Sequence, residues 1–303
     1  MKIPHPIPYQ GSKRGLAPYI LRYFPLQVDT LFEPFAGSAA ISLAAATHGL
    51  AQQYIISDLN DPLVQLWRDI INDPEKIVAQ YTKIWTDQEG REREFYNWIR
   101  DSFNQTKRTD YFLYLLVRCV KAAVRYNVNG DFNQSPDHRR RGTRPSVLKK
   151  DIYAASRILK GKAELLTGDY KTILQRTSIQ DLVYMDPPYQ GVSQSQNTRY
   201  FEGLPIGDFV NALDNLNSRD ISYIVSYDGR TGGKSFGTLL PSFLELEHIE
   251  IMAGRSSQAT LLGREEPTYE SLYISPALCR RLEKSKAYRV KQFDVAKQME
   301  ISF

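Results

Sequence analysis

An apolar strand at residues 182–185 constrains the fold most, because it stops at a rigid turn. Asp186, Pro187, Pro188 and Tyr189 follow the strand directly. Two consecutive prolines fix φ and favour extended or turn backbone, so the strand cannot run on. The turn is either an ordinary strand-to-loop connection, where Asp and Pro serve turn chemistry alone, or a stiff platform that presents polar groups to a ligand.

A second motif, of strand, turn and helix, occupies residues 31–46. Its turn combines an aromatic residue with small ones: Phe35, Ala36, Gly37 and Ser38. The next strand, residues 54–57, ends about twenty residues later at Asp58, where an acidic group can hold ribose hydroxyls. The three-glycine dinucleotide fingerprint is missing, which disfavours NAD or FAD. S-adenosylmethionine fits better, because an adenosine cofactor without a pyrophosphate needs no phosphate cradle.

Together the two motifs suit methyl transfer to the exocyclic amine of a base. The lone pair of adenine N6 is delocalised into the ring, so both N–H groups must be held by acceptors for the lone pair to face a methyl group. The Asp186 carboxylate and the Pro187 carbonyl could be those acceptors, and Tyr189 offers a flat face for the base.

Composition and charge limit the kinds of partner, cellular location and binding site that we expect for this chain. The 303 residues carry a net charge of +5, which modestly favours a polyanionic partner. Cys119 and Cys279 lie far apart in apolar or helical contexts, so we expect free thiols and a reducing, cytoplasmic location. We expect no membrane segment, because no apolar run is long enough, and no metal site, because the four histidines do not cluster.

Between Asp58 and the strand at 182–185 the pattern is mostly helical. Four helices are predicted there: 63–71, 74–81, 95–103 and 110–124, the last with Thr109 as a cap candidate. The sheet resumes at 182–185 and, after a helix at 207–216, at 222–227, and such alternation implies a mostly parallel sheet. The runs 244–251 and 269–274 predict an antiparallel pair. The apolar positions slip by one between Leu246 and Ile249, which indicates either a bulge near His248 or a misjudged register.

The segment at residues 125–144 has few residues that could form a core. Asn129 and Gly130 are a hairpin-turn signal, and the densest basic stretch of the chain follows. A basic stretch is often only a solvated face, but its place between the two motifs favours DNA contact. The candidates are Arg125, Asn127, Asn129, Asn133, Arg139, Arg140, Arg141 and Arg144.

The chain resembles the DNA adenine-specific N6-methyltransferases of the Dam-like D12 class over most of its length. Residues 8–13 are similar to that family's first cofactor motif, and the motif order is that of its alpha arrangement. The resemblance implies this set of cofactor-binding residues: Tyr9, Lys13, Phe35, Ala36, Gly37, Ser38, Asp58, Asp169 and Asp186. Two departures are Tyr9, where the family often has tryptophan, and Ala39, where a second glycine is frequent.

The resemblance implies an α/β, Rossmann-like class I methyltransferase fold whose mostly parallel sheet has one antiparallel strand. Residues 1–60 and 147–303 are expected to form the catalytic domain, and residues 61–146 an inserted, mainly helical target-recognition domain with the basic hairpin. The expected catalytic residues are Asp186, Pro187, Pro188 and Tyr189, acting on an adenine flipped out of double-stranded DNA. The hairpin diverges from the family after Asn133, so the recognition site need not be GATC.

Several alternatives stay open. N4-cytosine methylation uses the same chemistry, and related motifs also serve RNA or protein substrates. A catalytically silent DNA-binding module would keep the fold. We expect a monomer, with a dimer as the alternative, and a cognate restriction endonuclease is an open choice of partner. The polar loop at 190–200 is either a surface linker or a lid. The basic tail is either a DNA contact or disordered, and its basic residues are Arg280, Arg281, Lys284, Lys286, Arg289 and Lys291.

Overall fold

The computed structural model describes residues 2–188, 204–231, 234–236, 239–255 and 267–284. Tyr189, the loop at 190–200 and the part of the basic tail after Lys284 lie outside these residues. Arg280, Arg281 and Lys284 of that tail belong to the helix Pro276–Lys284. Within the described residues, the chain forms eight strands and ten α-helices.

Eight strands form one sheet. They are β1 (Thr30–Glu33), β2 (Gln53–Asp58), β3 (Ala163–Thr167), β4 (Leu182–Met185), β5 (Tyr223–Thr231), β6 (Lys234–Phe236), β7 (Glu247–Arg255) and β8 (Pro267–Ile274). The strand order is β3-β2-β1-β4-β5-β8-β7, with β6 paired to β5 beside this path. All pairings from β3 to β5 are parallel, whereas β8 runs antiparallel to β5 and β7. The predicted mostly parallel sheet with a reversed strand is confirmed.

In the described part of the chain, ten helices cover this sheet or fill the segments between its strands. They are α1 (Ala17–Ile20), α2 (Ala40–His48), α3 (Asp61–Asn72), α4 (Pro74–Asp87), α5 (Glu92–Thr106), α6 (Thr109–Arg118), α7 (Pro145–Leu159), α8 (Tyr170–Leu174), α9 (Ile206–Ser218) and α10 (Pro276–Lys284). Single 3₁₀ turns cover Lys13–Gly15, Leu21–Tyr23, Val120–Ala122 and Ser242–Leu244. No helix of the described part of the chain has the length and apolar character that crossing a bilayer requires.

The core has two layers because successive strand side chains point to opposite faces of the sheet. In β1, Leu31 belongs to one buried apolar cluster and Phe32 to the other. The Leu31 cluster continues into helices α3 to α7, while the Phe32 cluster holds residues of α8 and α9. A sheet buried on both faces explains the nearly continuous apolar runs of β1 and β4. The division of the chain into two domains stays a prediction.

The predicted helix at 110–124 is too long at its C-terminal end, because α6 does not include residues 119–124. The helix ends at Arg118, because Lys121 and Ala122 have φ of +59° and +50°, in the left-handed region. Val124 is still buried, so its helical spacing reflects packing rather than helix. Thr109 does not cap the helix and instead donates a hydrogen bond to Asp69.

Two strand details also differ from expectation. No strand was predicted at β3, which pairs at one edge of the sheet and has a single buried residue, Leu165. The predicted bulge near His248 is wrong, because β7 begins at Glu247 and pairs continuously with β8 up to Met252. The leucines before Glu247 precede the strand, and the irregular pairing lies after Met252.

Candidate active site

A cavity of about 520 Å³ opens at the carboxyl ends of β1, β2 and β4, the edge where open α/β sheets bind ligands. Segments far apart in sequence line it: residues 9–13, 33–38, 40, 58–59, 125, 168–171, 184, 186–188, 204–205 and 208. These include all nine cofactor candidates named from the sequence. Three of the four catalytic candidates, Asp186, Pro187 and Pro188, line the same cavity.

Asp186, the first residue after β4, contacts a buried lysine. The Lys13 Nζ lies 3.2 Å from the Asp186 Oδ1 and 3.2 Å from the Glu270 Oε2. Only 6% of the Lys13 side chain is exposed, against 23% for Asp186 and 22% for Glu270. The Lys13 ammonium therefore joins three distant parts of the chain. They are the first 3₁₀ turn, the end of β4 and the antiparallel strand β8.

The charges at this junction respond to burial and to one another. Burial raises the pKa of Asp186 to about 6; the Lys13 ammonium opposes the rise and the Glu270 carboxylate adds to it. Burial alone would lower the pKa of Lys13, but the carboxylates of Asp186 and Glu270 outweigh burial and raise it. Lys13 is therefore charged at neutral pH, whereas Asp186 changes its charge near pH 6.

Asp58 holds the glycine turn that follows β1. Its Oδ2 accepts a hydrogen bond from the Gly37 N–H at 3.0 Å, and its Oδ1 accepts one from the Asn60 N–H at 3.0 Å. Burial raises the pKa of Asp58, and these N–H groups oppose the rise. Gly37 has a φ of +48°, which favours glycine, and a Cβ there would lie 3.2 Å from the Tyr9 ring. Glycine thus lets Tyr9 lie against the turn.

Glu33, at the end of β1, is a buried acid in the cavity wall. It is 3% exposed, and its carboxylate accepts hydrogen bonds from the N–H groups of Ile41 at 3.3 Å and Ser42 at 2.8 Å, in the first turn of α2. Burial raises its pKa to about 7, although the Ser42 and Ile41 hydrogen bonds oppose the rise. A helix N-terminus favours the charged form, but burial is the larger effect here.

Phe35 and Asp169 line the cavity near the start of α8. The Phe35 and Tyr170 rings are 5.1 Å apart between centroids. Asp169 is exposed and caps α8, since its Oδ1 accepts a hydrogen bond from the Lys171 N–H at 2.7 Å. This wall of the cavity is therefore aromatic with an acidic rim.

The segment at 125–133 forms the predicted hairpin. The Asn127 N–H donates to the Asp131 carbonyl at 2.8 Å, and the Asn133 N–H donates to the Arg125 carbonyl at 3.0 Å. The Asn127 side chain is held within the turn, where its Oδ1 accepts from the N–H groups of Asn129 and Asp131. The tip, residues 128–130, is exposed, while Arg125 at the base lines the cavity. The hairpin thus extends from the rim of the cavity into solvent.

The arginines after the hairpin have acidic partners. Arg139 and Arg140 pair with Asp137 at 3.4 and 2.8 Å, and Arg141 pairs with Glu92 at 2.6 Å. Arg144 precedes α7 and is exposed. All four side chains face solvent, so the ion pairs hold the loop while leaving the guanidinium groups accessible.

The family described as D12 class N6 adenine-specific DNA methyltransferase matches residues 9–252, a span that runs from Tyr9 through the Asp186 turn into β7. The chain belongs to this family. It is an adenine-specific DNA methyltransferase, and the resemblance inferred from its motifs is confirmed.

Known proteins similar to this methyltransferase include the Retron Ec67 DNA adenine methylase of Escherichia coli, 26% identical over 93% of this chain and 98% of that protein. The type II methyltransferase M1.LlaDCHI of Lactococcus lactis subsp. cremoris is 27% identical over 72% of this chain and 78% of its own length. The DNA adenine methylase of Serratia marcescens is 27% identical over 62% of this chain and 68% of its own length.

Sequence reasoning missed two acids of this methyltransferase that the structure brings near Asp186. Glu33 ends an apolar strand and Glu270 lies within a predicted one. An acid inside an otherwise apolar strand was a signal for Glu33, because such a position is buried and a buried carboxylate needs a reason. Glu270 gave no comparable signal, since its neighbourhood depends on how β8 pairs.

Proposed function

We propose that this methyltransferase uses S-adenosylmethionine to methylate N6 of an adenine that has been flipped out of duplex DNA. The observation that carries the proposal is the shared cavity, which the glycine turn, Asp58 and the Asp186 turn all line. A cofactor and a base bound in one cavity can react directly, without a covalent enzyme intermediate.

The lining of the cavity fits a cationic adenosine cofactor. Phe35 and Tyr170 offer an aromatic wall for an adenine ring, and Asp58 offers carboxylate oxygens for ribose hydroxyls. The buried carboxyl groups of Glu33 and Asp186 favour a positive charge in their neighbourhood. When bound, S-adenosylmethionine supplies an electrophilic methyl group on a sulfonium. Tyr9 and Lys13 complete the proposed cofactor site beside the glycine turn.

The catalytic turn binds the amine of the base. The Asp186 carboxylate and the Pro187 carbonyl accept the two N6 hydrogens, which directs the nitrogen lone pair out of the hydrogen-bonding plane. Lys13 engages Oδ1 of Asp186, so Oδ2 is the oxygen assigned to the amine. Methyl transfer leaves one excess proton on the nitrogen, and Asp186, which already accepts that N–H, receives it. The catalysis is mainly positioning, which can supply a large share of the barrier reduction.

Duplex DNA binds outside the cavity. A stacked adenine cannot reach Asp186, so the base is extruded, at a cost of a few kcal/mol. The hairpin at 125–133 and the arginines at 139–144 provide the DNA contacts, within the inserted domain at residues 61–146. Arginine pairs with phosphate through several donors at once, so these contacts also offset the cost of extrusion.

Sequencing of DNA from a methylation-free bacterial host that expresses the chain tests this proposal. Single-molecule reads should show N6-methyladenine at one short motif with wild type and with Asp214→Asn, a control at an exposed aspartate of α9. Asp186→Ala should abolish the signal, because it removes an acceptor of the amine. Circular dichroism should show that the variant is folded. Normal methylation by Asp186→Ala would refute the role of the turn, and N4-methylcytosine in its place would refute the assigned base.

A further inference from the structure

Lys13 is a buried ammonium held between two carboxylates from strands on either side of β5. Asp186 follows β4, and Glu270 lies on β8. We propose that Glu270 is a positioning residue for methyl transfer, which holds the Lys13 ammonium against the Asp186 carboxylate. This inference rests on the proposed function of Asp186. Glu270 is not among the described residues that line the cavity, so it acts through Lys13 rather than on the substrate.

The backbone next to Glu270 allows this contact. Glu270 pairs with Gly229 of β5, next to an irregularity in the β5–β8 register between Ser226 and Gly229. A Cβ at Gly229 would lie 2.6 Å from the Tyr269 carbonyl oxygen, which is too close for any side chain. Irregular pairing of this kind often re-aims side chains beside active sites. The close approach of the two backbones therefore brings the Glu270 carboxylate within 3.2 Å of Lys13.

A second carboxylate also restricts how Lys13 can move. A lysine side chain has many rotamers and no fixed fork of donors, so one ion pair would leave its ammonium free to rotate away. Contacts to both Asp186 and Glu270 fix the Nζ at one place in the buried junction. Lys13 then contacts Oδ1 of Asp186 in one geometry, and Oδ2 keeps a constant direction for the amine.

Four groups from different elements act electrostatically at this junction. They are Lys13 from the first 3₁₀ turn, Glu33 from β1, Tyr184 from β4 and Glu270 from β8. Lys13 lowers the pKa of Asp186 and Glu270 raises it. Neutralising Glu270 should therefore move the acid limb of the kcat profile to lower pH, and neutralising Lys13 should move it to higher pH. If Glu270 and Lys13 had only structural roles, their variants would not shift the acid limb in opposite directions.

The test uses the purified full chain on a duplex that contains its methylation motif, with kcat and KM measured from pH 5 to 9. Glu270→Gln should lower kcat about tenfold or more, with little change in KM, because a misplaced acceptor affects the transition state. The acid limb should move to lower pH, whereas Lys13→Met should move it to higher pH. Glu250 lies on β7, beside β8, and forms an exposed ion pair with Arg230 of β5. Glu250→Gln is therefore the control, and it should leave both kcat and the acid limb unchanged.

A double variant separates positioning from folding. Glu270 acts through Lys13, so the double variant Lys13→Met/Glu270→Met should have the same kcat as Lys13→Met alone. Methionine is used at both positions because two apolar side chains keep the junction filled and leave no unpaired buried charge. The inference would be overturned if Glu270→Gln kept the wild-type kcat and the wild-type acid limb. It would also be overturned if the kcat losses of the two single variants multiplied in the double variant. These outcomes differ from a failure of the proposed function, in which wild type itself leaves no N6-methyladenine or Asp186→Ala retains activity.

Discussion

Replacing Glu33 by glutamine should flatten the pH dependence of folding stability. Burial raises the pKa of Glu33 from its ordinary 4.5 to about 7 in the folded chain. Between these two values the folded state binds more protons than the unfolded state, so the free energy of unfolding falls as the pH rises. The loss begins near pH 4.5 and is complete above pH 7, where Glu33 is ionised in both states.

The size of the effect follows from the shift. Each pKa unit corresponds to about 1.4 kcal/mol, and the two titration curves give a loss of about 2 to 3 kcal/mol between pH 5 and pH 8 from Glu33 alone. Glutamine cannot ionise and removes this contribution. Its carboxamide oxygen cannot serve both N–H groups of Ile41 and Ser42 as two carboxylate oxygens do, and this loss is equal at both pH values. The pH dependence therefore isolates the charge.

Urea unfolding followed by tryptophan fluorescence at pH 5 and pH 8 measures the difference. The fall in unfolding free energy between these pH values should be about 2 to 3 kcal/mol smaller in Glu33→Gln than in wild type. Glu75→Gln, at an exposed position in the first turn of α4, should retain the wild-type pH dependence. If Glu33→Gln loses as much stability as wild type over this range, the buried charge is not the cause and the reasoning fails.

Two further predictions concern the cofactor turn and its link to the hairpin. Asp58→Ala removes the acceptor for the Gly37 and Asn60 N–H groups, so affinity for S-adenosylmethionine should fall about tenfold or more by calorimetry; unchanged affinity would exclude Asp58 from the site. The Tyr126 hydroxyl links the hairpin to Asn60 by donating to its Oδ1 at 3.1 Å, so we expect duplex DNA to raise the affinity for S-adenosylmethionine through this contact and Tyr126→Phe to reduce that enhancement about fivefold. The same enhancement in wild type and variant would contradict this coupling.

The sequence predicted elements well wherever packing and local pattern agree. β1 and β4 are buried on both faces, so their apolar runs carry a strong signal. β3 is a half-exposed edge strand whose existence depends on pairing with β2, and that pairing cannot be read from residues 163–167 alone. Val124 shows the opposite error, since an apolar residue at helical spacing is buried outside a helix.

Site residues were predictable from the sequence where they belong to a short local motif. Gly37 and Asp58 are such residues, because a small-residue turn and a strand-ending acid are local features. The ion pairs of Arg139 and Arg141 were not predictable as a set. Asp137 is close in sequence to Arg139, but Glu92 approaches Arg141 only because α5 folds back on the loop. A basic stretch in a sequence therefore overstates the positive charge that a folded surface presents.

The charges that line the cavity favour entry of a single base over entry of a DNA strand with its phosphates. Among the described lining residues, five carboxyl groups outnumber three basic side chains: Glu33, Asp58, Asp169, Asp186 and Asp208 against Lys13, Arg125 and Lys171. Such a lining repels phosphate and attracts a cation. On the proposed mechanism, a neutral base passes this barrier at no electrostatic cost while its phosphates stay outside, near the hairpin and the arginines. The acidic cavity and the basic loop then have complementary functions, because each excludes the ligand that the other binds.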